Sequence, residues 1–142
     1  MMLRTKNCSR GFTFLELLVT LFILGFIGSL IGPKIFGNFG RAQQQTAKTQ
    51  IKMLMDGLAS FKKDMGRYPS QQEGLAALVV EPSGGGKSWK GPYLKKAVPY
   101  DPWGNAYFYQ NPGEHGEVDI YSFGKDNKPG GDNEDSDIRS WE

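Results

Sequence analysis

Residues 11–32, "GFTFLELLVTLFILGFIGSLIG", form one apolar run in which Glu16 is the only charged side chain. The 21 residues from Phe12 to Gly32 are enough to cross a hydrocarbon core of about 30 Å as a helix. Arg4, Lys6 and Arg10 stand before the run with no acid among them, which places that end in the cytoplasm and everything after Gly32 outside the inner membrane. A secretory signal peptide shows the same order of basic and then apolar residues. Here, however, "SLIGPKIF" (29–36) carries the run into a helical pattern with no Ala-x-Ala site for cleavage.

An acidic side chain inside such a helix costs up to about 2.5–3.5 kcal/mol at its centre and less near the ends, so Glu16 requires a partner. If the chain is cut between Gly11 and Phe12, the new α-amino group supplies one. The Glu16 carboxylate of one subunit then pairs with the Phe12 amine of the next, and the product is a polymer. The stretch "GFTFLELLVTLFILG" (11–25) resembles the class III signal of type IV pilins and pseudopilins. The resemblance implies cleavage after Gly11 by prepilin peptidase, N-methylation of Phe12 and an assembly role for Glu16. Phe14 and Leu15 replace two aliphatic residues of the usual pattern and keep its apolar character. Gly28 and Gly32 form a GxxxG pair, and the Gly32–Pro33 step is expected to bend or locally melt the helix.

Beyond Pro33, apolar residues fall at Ile35, Phe36, Phe39, Ala42, Ala47, Ile51, Leu54, Leu58, Phe61 and Met65, the spacing of an amphipathic helix. A helix from Phe12 to Asp64 would be about 80 Å long. Gly66 is a stop signal, Pro69 disfavours helix at Tyr68, and Ser70 is placed to cap a short second helix over "QQEGLAALVV" (71–80), with Leu75, Leu78 and Val79 on one side. "AYFYQ" (106–110) and "EVDIYSF" (117–123), joined by "NPGEHG", are expected to form an antiparallel hairpin. Pattern alone leaves open whether Val118, Ile120 and Ser122 or Asp119, Tyr121 and Phe123 face the helix.

Composition narrows the function classes. The formal charge is +2, and without residues 1–11 the 17 basic side chains fall to 14 against 15 acidic ones. The remaining bases gather on no single element, so nucleic-acid binding is not indicated. Cys8 is the single cysteine, which excludes an intrachain disulfide. An anchored enzyme would need a converging nucleophile, base and electrophile. The chain offers one histidine, His115, in a hairpin turn where a solvated loop residue is the natural reading. "GGGKS" (84–88) is not a phosphate-binding loop, because Glu81 stands where its first glycine belongs and "WKGP" follows where a helix should start.

The blocks "MGRYPSQQEGLAALV" (65–79), "GPYLKKAVPYDPWGNAYFYQNPG" (91–113) and "DIYSFGKDNKPGGDNEDSDIRSW" (119–141) resemble, in order, those of the major pseudopilin family of type II secretion systems. With the leader they cover nearly the whole chain. The fold implied is α+β and type IV pilin-like: a long N-terminal helix, membrane half and amphipathic half, packed on a short helix and a small antiparallel sheet. Its expected parts are a leader (1–11), an assembly helix (12–32), a helical stalk (33–65) and a periplasmic domain (66–142).

"GKDNKPGGDNEDSDI" (124–138) sets oxygen-bearing side chains among glycines, as a hard cation such as calcium requires, although a solvated acidic tail has the same composition. It is not an EF-hand, since Lys128 and Gly130 occupy the third and fifth positions counted from Asp126. The resemblance implies structural Ca2+, with Asp126 as one aspartate ligand and Phe123 as a carbonyl donor. The second aspartate falls on Asn133, and Asp132 or Asp135 is placed to substitute for it.

The function implied is that of the main structural, non-enzymatic subunit of a periplasmic filament, anchored first in the inner membrane. The filament grows through an inner-membrane assembly platform and a cytoplasmic ATPase and is capped by minor pseudopilins. It pushes secreted proteins through an outer-membrane secretin. A type IV pilus subunit for adhesion, motility or DNA uptake is the alternative, and the blocks from "RYP" onward weigh against it.

Overall fold

The computed structural model describes residues 11–142, so Cys8 and the leader up to Arg10 lie outside the described residues. Helix α1 spans Phe14–Met65. Thr13 starts it, its Oγ1 accepting the Glu16 N–H at 3.2 Å while its carbonyl accepts the Leu17 N–H at 3.1 Å, which satisfies donors that a helix start leaves unpaired. Gly66 ends it as expected, at φ +73° with its N–H on Lys62 O at 2.8 Å. The helix is continuous across Gly32–Pro33, so the expected local melting is not found. Proline removes one donor there, and a single missing bond does not end a helix.

The chain divides into two compact units, one ending at Asn38 and the other spanning Phe39–Glu142. In the first, Phe14–Gly32 is long and apolar enough to cross a membrane, with a mean hydropathy of 2.4 and none of it buried.

In the second unit, Ala47, Ile51, Leu54, Leu58 and Phe61 of α1 are buried against Leu75, Leu78, Leu94, Tyr107, Tyr109, Val118, Ile120 and Ile138. Full burial of a side chain such as Leu54, Leu58 or Phe61 contributes about 1.5–3 kcal/mol. The expected core face is shorter at its N-terminal end, because Phe39 is 62% exposed and Ala42 is exposed too. The apolar cover of the domain reaches only to Ala47. The side chains of Ile35 and Phe36 lie outside the described residues.

The second helix is not formed as expected. Ser70 Oγ accepts the Glu73 N–H at 3.2 Å and Glu73 Oε2 accepts the Ser70 N–H at 2.7 Å, a reciprocal cap. Yet Gly74, at φ +57° and ψ −162°, leaves helical space at once, and only a 3-10 helix, Leu75–Leu78, follows. Leu75 and Leu78 still reach the core, and Val79 packs against it in part.

The hairpin is present, with strands shorter than the aromatic runs. Strand β1 (Phe108–Gln110) pairs antiparallel with β2 (Asp119–Ser122), Tyr109 opposite Ile120, and β3 (Ile138–Arg139) adds to the other edge of β2. The open question of facing is resolved: Val118, Ile120 and Ser122 are buried. On the other face Phe108, Tyr121 and Phe123 pack on one another, with centroids 4.8–5.1 Å apart. The two inward tyrosines find partners at their polar tips, Tyr107 on Gln50 Oε1 at 2.5 Å and Tyr109 on Pro69 O at 2.7 Å. Burial pushes the Tyr109 phenol up to about 12.

Candidate assembly and loop sites

The N-terminal site is built on the first turn of α1. Glu16 is the third residue after the Thr13 cap, where the partial positive charge of the helix start favours a carboxylate. Its backbone carbonyl accepts Thr20 Oγ1 at 2.7 Å. Gly11 and Phe12 precede the helix and are exposed among the described residues. "TFLE" (13–16) is itself a capping signal, a local role for this stretch beside the assembly role expected of Glu16.

The C-terminal site is the loop from Phe123 to Asp137. Phe123 follows β2, Asp126 lies on the outgoing arm, and Asn133 and Asp135 bound a 3-10 turn, Asn133–Asp135, on the returning arm. Lys125 draws the arms together, its N–H bonding Glu134 O at 2.9 Å and its Nζ pairing with Glu134 Oε2 at 2.8 Å. Gly130 N–H reaches both carboxylate oxygens of Asp137 at 3.1 Å, and Arg139 pairs with that carboxylate at 2.9 Å. The acidic cluster is thus partly neutralised by its own neighbours, which composition did not reveal.

Two glycines make the tight approach of the arms feasible. At Gly124, φ +70°, a Cβ would lie 2.8 Å from Glu134 O and 2.9 Å from Ser136 O, and at Gly131, φ +88°, one would lie 2.5 Å from Asp135 O. Main-chain oxygens of residues 134–136 therefore face space that only glycine leaves open. Among the described residues no three His, Cys, Asp or Glu side chains gather as a metal-binding group. Asp126 Oδ1 accepts the Lys128 N–H at 3.1 Å. The Asn133 carbonyl, on a residue at φ 55°, accepts from Ser136 N–H at 3.2 Å and from Gln44 Nε2.

Two buried carboxylates outside the expected set organise the loops on either side. Asp101 accepts the N–H groups of Trp103 and Asn105 at 3.1 and 2.7 Å through Oδ1 and the Ser122 hydroxyl at 2.6 Å through Oδ2, tying the "DPWGN" turn to β2. Asp119 Oδ2 accepts the N–H groups of Glu114 and His115 at 2.7 and 3.0 Å and lies 3.2 Å from His115 Nδ1. Burial would raise the Asp119 carboxyl, but the two N–H groups and the imidazole outweigh it and hold it below its ordinary value. His115 is not simply solvated, since its ring stacks on Trp141 at 4.0 Å and 2°. "GGGKS" forms a short surface turn with a 3-10 helix at Gly86–Ser88.

A single N-terminal apolar helix leading into an α+β domain with a three-stranded antiparallel sheet defines a pilin-like protein. The family described as "Prokaryotic N-terminal methylation motif" matches residues 6–32, and "Type II secretion system (T2SS), protein G" matches residues 34–141. The type II secretion system core protein G of Pseudomonas aeruginosa is 44% identical over 135 residues, 93% of this chain and 94% of the relative. That of Aeromonas hydrophila is 41% identical over 139 residues, 96% and 94% of the two chains. The crystal structure of the major pseudopilin from the type 2 secretion system of enterohaemorrhagic Escherichia coli is similar with a TM-score of 0.61 at 33% identity, covering 77% of this chain and 95% of that one. The chain belongs to the protein G family of the type II secretion system, the family of its major pseudopilin, and is a structural rather than a catalytic component. Its one apolar N-terminal helix is consistent with anchoring in the inner membrane.

Proposed function

We propose that the chain is inserted in the inner membrane with its C-terminal domain in the periplasm, cut by prepilin peptidase between Gly11 and Phe12, and methylated on Phe12. Subunits then polymerise through their N-terminal helices into a short periplasmic filament, with each Glu16 carboxylate paired to the Phe12 amine of a neighbour. The filament is driven from the assembly platform, capped by minor pseudopilins, and pushes secreted proteins toward the outer-membrane secretin. The observation that carries this reading is the bare helix: Phe14–Gly32 is apolar and none of it is buried among the described residues, which suits a surface covered first by lipid and then by copies of itself.

The C-terminal loop is read as a structural calcium site. Asp126 and carbonyls including that of Phe123 would hold the ion, with Asn133 or Asp135 completing the set. The glycine-lined approach of residues 134–136 to Gly124 supports it, and bound Ca2+ would offset repulsion among the remaining carboxylates.

Processing is tested by the intact mass of the protein extracted from its own membranes. The expected species lacks residues 1–11 and carries one added methyl group, and a bulky replacement of Gly11 leaves the leader attached. A full-length, unmethylated wild-type mass would overturn the reading.

A further inference from the structure

Among the described residues, α1 contributes no apolar side chain to the core between Phe39 and Ala47: Phe39 is 62% exposed, and Arg41, Ala42, Gln45 and Thr46 are exposed. The stretch nevertheless lies against its own domain. Gly40 is buried because Glu134 sits on it, so closely that a Cβ would come within 2.5 Å of Glu134 Cγ and 2.7 Å of Oε1. One turn later Gln44 Nε2 donates to Asn133 O and, at 3.1 Å, to Ser136 Oγ. Gln43 Nε2 adds a long bond of 3.5 Å to Pro102 O. Glu134 is itself held by Lys125 through both backbone and side chain.

We infer that the returning arm of the C-terminal loop is a latch on the helix: Glu134 on Gly40, and Asn133 and Ser136 on Gln44, dock residues 40–46 to the domain. Apolar packing begins only at Ala47, so these polar contacts govern where the helix leaves the domain surface. Ordering of the loop and docking of that helical segment are therefore one event. Gly40 serves close approach rather than flexibility, since it sits inside a helix where glycine is otherwise unfavourable. The latch consists of protein contacts alone and stands whether or not the loop binds calcium.

The test is hydrogen exchange of the full chain in detergent micelles at one fixed calcium concentration, following peptides from 40–47, 124–137 and 48–65. Gly40→Ala and Gln44→Ala each introduce a better helix former, so a merely local effect slows exchange in 40–47. The latch requires the opposite: exchange speeds up in 40–47 and 124–137 together, by roughly fivefold, as expected for the loss of one hydrogen bond, while 48–65 is unchanged. Slower or unaltered exchange in 40–47, a change in only one of the two segments, or an equal rise across 48–65 would overturn the proposal.

Discussion

At the residue scale, Glu73 shows how one side chain organises a turn and records pH. Arg67 pairs with it through its two terminal guanidinium nitrogens, at 2.6 and 2.8 Å, and the Ser70 N–H adds a third bond at 2.7 Å. The Arg67 pairing is the main cause that lowers the carboxyl to about 2, against partial desolvation, with Ser70 assisting. The unfolded chain has the ordinary value of about 4.3. The pair therefore stabilises the fold fully above that value, and the contribution is lost as pH falls toward about 2. Arg67 is 45% exposed, so solvent screening holds the effect to about 1 kcal/mol or less. Melting of the wild type and of Glu73→Gln, followed from about pH 5 downward, should show the two curves converging as the acid arm is reached. Parallel curves would remove this role from Glu73. The same scale holds what the sequence concealed: that Asp101 and Asp119 are buried as acceptors for neighbouring N–H groups is decided by loops closing around them, not by their spacing.

At the element scale, strong periodicity was legible and short elements were not. The Gly66 stop and the hairpin follow from local signals, and Leu54, Leu58 and Phe61 fall where the 3.6-residue period puts them. β3 has two residues, too few for an alternating pattern, and exists because Ile138 fills the core beside β2. The second helix failed at Gly74, whose φ no apolar pattern encodes. Contacts from Gln44 to Asn133 join residues 89 apart, and no local signal announces them. The C-terminal loop belongs to this scale as well, and the calcium proposed for it is testable there. The full chain in detergent micelles should melt higher with millimolar calcium than with a chelator, and Asp126→Ala should abolish the difference. Equal melting of the wild type in both conditions would contradict a bound ion and leave the loop held by protein contacts such as those of Lys125, Arg139 and Gln44.

At the scale of the whole molecule, the two units divide the work. The second buries its own core, whereas the first carries an apolar helix that is exposed among the described residues. On the proposed reading, such a subunit is completed among copies of itself, and Glu16, the one carboxylate on the apolar helix, is the group that pairs with a neighbour. The most direct test is electron microscopy of filaments from cells that overproduce the wild type or Glu16→Ala with the rest of the secretion system present. Thr13 still caps the helix in the variant, so insertion, processing and the folded domain should persist while filaments are lost. Filaments from Glu16→Ala in wild-type number and length would contradict the pairing on which assembly is here built.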